Sequence, residues 1–198
     1  MRLSVRRLEQ TEAEAAFDDL ARLRIEVFRD FPYLYDGDID YEQRYLATYL
    51  TQEGAAIIGA FDGDALVGAA TASPLANHFE EFAKPFAEHV LDIADFYYFG
   101  ESVLEKAYRG RGIGVRFFEE RESAARQDGF NRCIFSAVVR PADHPRRPAG
   151  YVPLDDFWRK RGYRCLEGFQ TGFSWRDVGE AAETEKPMEF WMKELDDR

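Results

Sequence analysis

The chain has 198 residues, a formal net charge of -11 and a sequence pI of about 4.8. That length suits one domain, and 45% hydrophobic with 32% charged residues excludes a disordered chain. The acidity argues against a nucleic-acid partner, which needs a basic footprint to neutralise phosphates; it would attract a cationic substrate, although its plainer use is solubility. Aromatic residues reach 15%, enough for a bulky core or an aromatic-lined pocket. Cys133 and Cys165 lack CxxC spacing, so neither a disulfide framework nor a cysteine zinc site is expected. His78, His89 and His144 have no metal-ligand spacing either. No apolar run reaches membrane-spanning length, and the first residues lack the apolar stretch of a signal peptide. The expectation is a cytoplasmic protein with no membrane partner.

In chain order, residues 2–8 alternate Leu3 and Val5 with polar side chains, as in a first strand. Thr11, with Glu14 three residues on, reads as a capping box. It opens a helix whose stripe is Phe17, Leu20, Leu23, Ile25, Val27 and Phe28. Pro32 and Asp36-Gly37 end it in a loop. Residues 40–50 predict a second helix with Tyr41, Tyr45, Leu46 and Tyr49 on one face. Two apolar runs around Asp62-Gly63-Asp64 predict a hairpin. Residues 77–93 bring Phe79, Phe82, Phe86, Val90 and Ile93 near helical spacing, with Pro85 as a kink or a second start. This helical insertion is either a substrate lid or an ordinary packing helix.

Residues 95–104 predict an aromatic strand that Gly100 interrupts as at a bulge. A Gly-rich turn then feeds a long amphipathic helix. Residues 131–139 suit a buried strand, 141–153 a Pro- and Arg-rich loop, and 154–161 a short helix ended by Gly162. Residues 163–175 and 187–195 are final strands, with 180–186 an exposed acidic loop between them. Residues 188–195 offer an edge for a homodimer or pair within their own sheet. The result is a single α/β (α+β) domain over 1–198 with a mixed sheet of about seven strands flanked by helices.

The turn Arg109-Gly110-Arg111-Gly112-Ile113-Gly114 lies between a strand and a helix. Glycines let backbone N–H groups crowd around a bulky anion, the helix start adds its own N–H groups, and arginines add charge. The chemistry points to a diphosphate. A P-loop needs Lys-Ser or Lys-Thr, absent here, and a dinucleotide fingerprint needs glycine where Val115 stands.

Arg109, Gly112 and Gly114 fit [R/Q]-x-x-G-x-[G/A], which resembles the pyrophosphate motif of the GNAT superfamily, the Gcn5-related N-acetyltransferases. Phe157-Trp158 followed by Gly162-Tyr163 resembles that family's FYxxxGF signature, and the order of elements is similar across nearly the whole chain. The resemblance implies splayed fourth and fifth strands and acetyl-CoA as cosubstrate. Val103 and Leu104 would pair with the pantetheine arm, and Gly110, Arg111, Gly112, Ile113 and Gly114 would hold the pyrophosphate. Arg109 would serve the turn more than the ligand. The implied reaction is transfer of an acetyl group to a primary amine of a small molecule. A protein N-terminus or lysine is the alternative acceptor, and a non-catalytic acyl-CoA-binding module the alternative class.

Glu101 matches the family's general base, against a plainer role in binding the ammonium or capping the bulge. The family's acid is the Tyr of FYxxxGF; Trp158 stands there and indole cannot donate that proton. Tyr151 is the candidate acid, with Tyr163 the better fit to packing. Arg146 and Arg147 would meet a coenzyme 3′-phosphate or stay solvated. Phe31, Tyr33 and Tyr35 would form an acceptor wall. Asp36, Asp38 and Asp40 would attract a polyamine or aminoglycoside or form a solvated turn.

Overall fold

The structure is a computed structural model that describes residues 3–78, 80–89 and 91–196. Its strands are β1 (Leu3–Arg7), β2 (Ala56–Asp62), β3 (Ala65–Pro74), β4 (Phe96–Leu104), β5 (Arg132–Val138), β6 (Arg164–Trp175) and β7 (Thr184–Glu194). They form one seven-stranded sheet in the order β1-β2-β3-β4-β5-β7-β6. Only β4 and β5 pair in parallel, because the connection between them runs through a helix long enough to reverse the chain. The helices are α1 (Gln10–Ala15), α2 (Phe17–Phe28), α3 (Ile39–Thr51), α4 (Glu80–Glu88), α5 (Ile113–Gln127) and α6 (Asp155–Arg159). No helix of the described residues is long and apolar enough to cross a membrane.

Both sheet faces are covered, so the central strands are apolar on both sides. Tyr97 and Phe99 of β4, with Cys133 and Phe135 of β5, pack against Phe117 and Phe118 of α5. Phe96, Tyr98 and Ile134 point the other way, to Phe82 and Phe86 of α4 and to Phe190 and Met192 of β7. α2 and α3 pack on the same side as α4, over β2 and β3, through Leu20, Leu23 and Leu46. Each such fully buried apolar side chain stabilises the fold by about 1.5–3 kcal/mol.

Two irregularities shape the middle of the sheet. β4 and β5 pair only at Phe96–Arg132, Tyr97–Cys133 and Tyr98–Ile134. Beyond this, β4 follows β3 and β5 follows β7, so the strands splay as expected. Within β4, Ala72 pairs with Phe99 and Ala70 with Ser102, leaving Gly100 and Glu101 opposite the single residue Thr71. That is the expected bulge, and it turns the Glu101 side chain toward α2 and α3.

Several expectations need correction. The first cap is Glu9 with Glu12 rather than Thr11 with Glu14, and the helix breaks at Ala16 into α1 and α2. Glu12 wins because Arg6 of β1 grips both its oxygens at 2.7 Å. The acidic loop is shorter than expected: Thr184–Lys186 already belongs to β7, and Lys186 is 3% exposed. β7 lies between β5 and β6, so residues 188–195 present no free edge for a homodimer. The helical part of 77–93 is α4 with Pro85 inside it, flanked by 3-10 turns; Phe79 and Val90 lie outside the described residues.

Candidate active site

The Gly-rich turn sits where β4 ends. Gly110 and Gly112 have φ of 76° and 82°, left-handed values that favour glycine. Gly112 is the N-cap of α5 and its carbonyl accepts from Val115 and Arg116, so the first N–H groups of α5 have no partner within the helix. The helix dipole adds positive potential at the same place. Arg109 donates its Nε to the Leu104 carbonyl at 3.4 Å, bracing the turn, while the Arg111 guanidinium lies over the Tyr108 ring at 5.1 Å. Along Phe99–Leu104 one edge of β4 pairs with β3 and the other faces the splay; Val103 and Leu104 pair with Ala69 and Gly68. An anion cradle at the end of an unpaired strand edge suits a diphosphate joined to an extended amide-bearing arm.

The bulge is held from the α5 side by Arg121, which is 2% exposed. Its guanidinium donates to the carbonyls of Glu101 (3.1 Å) and Thr71 (3.5 Å) and to Ser102 Oγ (2.9 Å), over the Phe99 ring at 4.3 Å. Burial pushes its pKa down to about 10, so it remains charged at neutral pH.

On the opposite face lies a cavity of about 630 Å³. Glu101 and Ser136 line it from β4 and β5, beside the splay. Its walls are aromatic: Tyr33, Tyr45, Phe82, Tyr98, Phe173 and Trp175 among them. At its base Arg24 of α2 pairs with Glu101 Oε1 at 2.5 Å and also with Glu42 of α3. All three are buried, with Glu42 at 0% exposure. Burial opposes the charge on Arg24, but Glu101, Tyr45 and Glu42 outweigh it and raise its pKa. Two carboxylates against one guanidinium leave the base with a surplus negative charge. A cation entering the cavity neutralises it, and ring faces add attraction.

A second buried cluster fixes the cavity wall. Arg140 donates to the carbonyls of Pro32 (2.8 Å) and Tyr33 (2.7 Å) and pairs with Asp177 at 2.9 Å. Lys186 reaches the same carboxylate at 3.2 Å, and Trp175 Nε1 donates to Tyr33. Tyr35 bridges to Asp177, and Asp36 N donates to Arg176 O. The loop between α2 and α3 is therefore docked onto the β6–β7 hairpin.

Tyr33, Tyr35, Asp36 and Asp38 line the cavity, and Asp38 also caps α3 at Tyr41 N. Phe31 and Asp40 are outside its lining. Phe31 instead meets Tyr151 edge-on at 4.7 Å, with His144 at 5.7 Å and the Arg147 guanidinium 4.9 Å over the Tyr151 ring. Trp158 packs against Phe135 and Trp191, and Tyr163 is buried with its hydroxyl donated to Glu122. Arg24, Glu42, Arg121, Arg140 and Asp177 escaped sequence reasoning because their partners are far away in the chain.

The model of the Acetyltransferase (GNAT) family matches residues 17–163, most of the chain. The chain belongs to this family. Among curated proteins, no sequence matches it. Among solved structures it is similar to the ribosomal-protein-alanine N-acetyltransferase from Brucella melitensis, with TM-score 0.63 and 15% identity over 97% of this chain and 99% of that one. It is also similar to a putative acetyltransferase from Salmonella typhimurium solved with acetyl-CoA, with TM-score 0.61 and 13% identity over 99% and 95%. An aminoglycoside 6'-acetyltransferase type Ii gives TM-score 0.60 and 17% identity over 100% and 99%. Family membership makes the protein an acetyltransferase of the GNAT type.

Proposed function

We propose that the acceptor is the primary amine of a small molecule with an aromatic or apolar body, and that it binds in the 630 Å³ cavity. The observation that carries this reading is Glu101, set by the bulge at the boundary between the cavity and the strand splay. Acetyl-CoA supplies the activated acetyl thioester. The chain's residues do the rest. The surplus charge at Arg24, Glu42 and Glu101 holds the ammonium, and the aromatic walls exclude water and align the body of the molecule. Glu101 takes a proton from the ammonium, and the neutral amine attacks directly. Tyr151 supplies the proton that the leaving thiolate needs; burial raises its pKa, so it is protonated at neutral pH. The turn from Arg109 to Gly114 holds the pyrophosphate, with Val103 and Leu104 along the pantetheine arm. The docking of the loop through Arg140 and Asp177 walls the cavity and favours a small molecule over a peptide, which needs an open groove.

The test is thiol release from acetyl-CoA with benzylamine, 2-phenylethylamine, tryptamine and spermidine, beside a lysine-bearing peptide. Turnover of the aryl amines with little on the peptide supports the assignment. Turnover of the peptide alone reassigns the acceptor to a protein.

A further inference from the structure

A hydrogen-bonded chain leads away from Glu101. Tyr45 Oη donates to Glu101 Oε2 at 3.0 Å, and the hydroxyls of Tyr45 and Tyr49 are 3.0 Å apart. The Tyr49 hydroxyl lies 3.1 Å from His78 Nε2. His78 borders the acceptor cavity and also a smaller one of about 160 Å³, which Tyr49 shares with Thr48, Gln52 and Asn77. Thr48 and Asn77 are exposed, so the small cavity meets solvent. Gly100 makes room for this arrangement: a Cβ there would collide with the hydroxyls of Tyr49 and Thr71.

The reaction needs such a route. The acetyl carbon gains a bond to nitrogen and loses its bond to sulfur. An ammonium acceptor gives up two protons; one reprotonates the thiolate and the other must leave the site in each turnover. Glu101 Oε1 faces Arg24, a donor that cannot take a proton, whereas Oε2 faces Tyr45. We infer that Tyr45, Tyr49 and His78 are a proton-exit relay, carrying the surplus amine proton from Glu101 to solvent at the small cavity. This rests on Glu101 acting as the base. When Oε2 takes the amine proton, the Tyr45 and Tyr49 hydroxyls turn toward His78; the Oε2 proton passes to Tyr45 Oη as the Tyr45 proton passes to Tyr49 and the Tyr49 proton to His78 Nε2, and water in the small cavity, which His78 lines, then takes the proton from the imidazolium. The transfer is concerted, since burial raises both phenols and opposes a phenolate. Burial also pushes the His78 imidazole down to about 4, against the opposing pull of Glu101, so at rest it is neutral and it holds the proton only in passing. Around it lie the rings of Tyr49 from α3, Phe82 from α4 and Tyr98 from β4.

Three variants test the relay with the same four amines as acceptors. Tyr49→Phe cuts the chain but leaves the Tyr45–Glu101 contact, and is expected to lower kcat at least tenfold with KM for acetyl-CoA unchanged. His78→Gly should show the same loss, restored by added imidazole. In mixed H2O/D2O the wild-type kcat should curve with deuterium fraction, as for several protons in flight, and become linear in Tyr49→Phe. Wild-type kcat in Tyr49→Phe, or a His78→Gly defect that imidazole does not restore, overturns the relay. If Tyr49→Phe does not fold, the imidazole arm decides alone. Glu101→Gln with full activity, or a wild type that acetylates none of the amines, overturns the underlying reading and the relay with it.

Discussion

Glu101 is distinguished by what surrounds its two oxygens, one at Arg24 and the other at Tyr45. Glu101→Gln keeps the shape and a group that accepts from Tyr45, but removes the proton acceptor. The expected outcome is a fall in kcat of roughly 10²–10⁴ with acetyl-CoA affinity unchanged, read by thiol release and by titration calorimetry. An unchanged kcat would move the base role to water. Tyr151→Phe separates hydroxyl from ring in the same way. The edge-on contact with Phe31 survives, so the expected loss is in kcat, about tenfold or more, with KM for acetyl-CoA retained. Equal activity of Tyr151→Phe would leave Tyr151 as a packing ring. Glu101 was legible in the sequence only through its place before Ser102-Val103-Leu104. Arg24 and Glu42 were not, because an ion pair 18 residues apart leaves no local periodicity.

At the level of elements, helix α5 braces the bulge through Arg121, and the turn before it is the proposed seat of the coenzyme pyrophosphate. In an Arg111→Glu, Gly112→Asp double variant, carboxylates meet the anion, and a side chain meets a φ of 82°. Acetyl-CoA binding should disappear in calorimetry while the protein still folds, since the backbone strain costs only about 1–2 kcal/mol. Retained binding would reassign the turn to a structural role. Arg121→Met would strip the carbonyls of Glu101 and Thr71 and the hydroxyl of Ser102 of their donor. The expected loss is about 2–4 kcal/mol in urea denaturation, and a loss below 0.5 kcal/mol would show that the bulge holds itself. The hairpin, the bulge and the turn could be read in advance because each is fixed by glycine chemistry within a few residues. The first helix start could not. Two capping patterns compete there, and the winner is chosen by Arg6 on a neighbouring strand. Lys186 was misjudged for the same reason: its acidic neighbours suggest a loop, and the Asp177 that anchors it arrives across the hairpin.

For the molecule as a whole, acid stability reports how the site is buried. An unfolded histidine takes a proton near pH 6.5, whereas the fold holds His78 down to about 4, chiefly by burial. Between those values the unfolded chain binds more protons, so stability is complete above about pH 6.5 and declines as pH falls. The decline should reach about 2 kcal/mol at pH 5 and about 3 kcal/mol at pH 4, read as a shift in urea midpoint relative to pH 7.5. At Asp177, burial raises the carboxyl pKa, but hydrogen bonds from Arg140 and Lys186 outweigh it and hold it below the usual value. Its contribution is therefore complete above about pH 4 and is lost at still lower pH, so the two effects occupy successive windows. His78→Gln should flatten the upper window and leave the lower one, while Asp177→Asn should do the reverse. If wild type and His78→Gln fell in parallel between pH 7.5 and pH 5, His78 would be taking its proton freely in the fold. Such an imidazole would still be neutral at pH 7.5, so the denaturation series reads how deeply the fold buries His78, while the kinetic variants read the proton path out of the site.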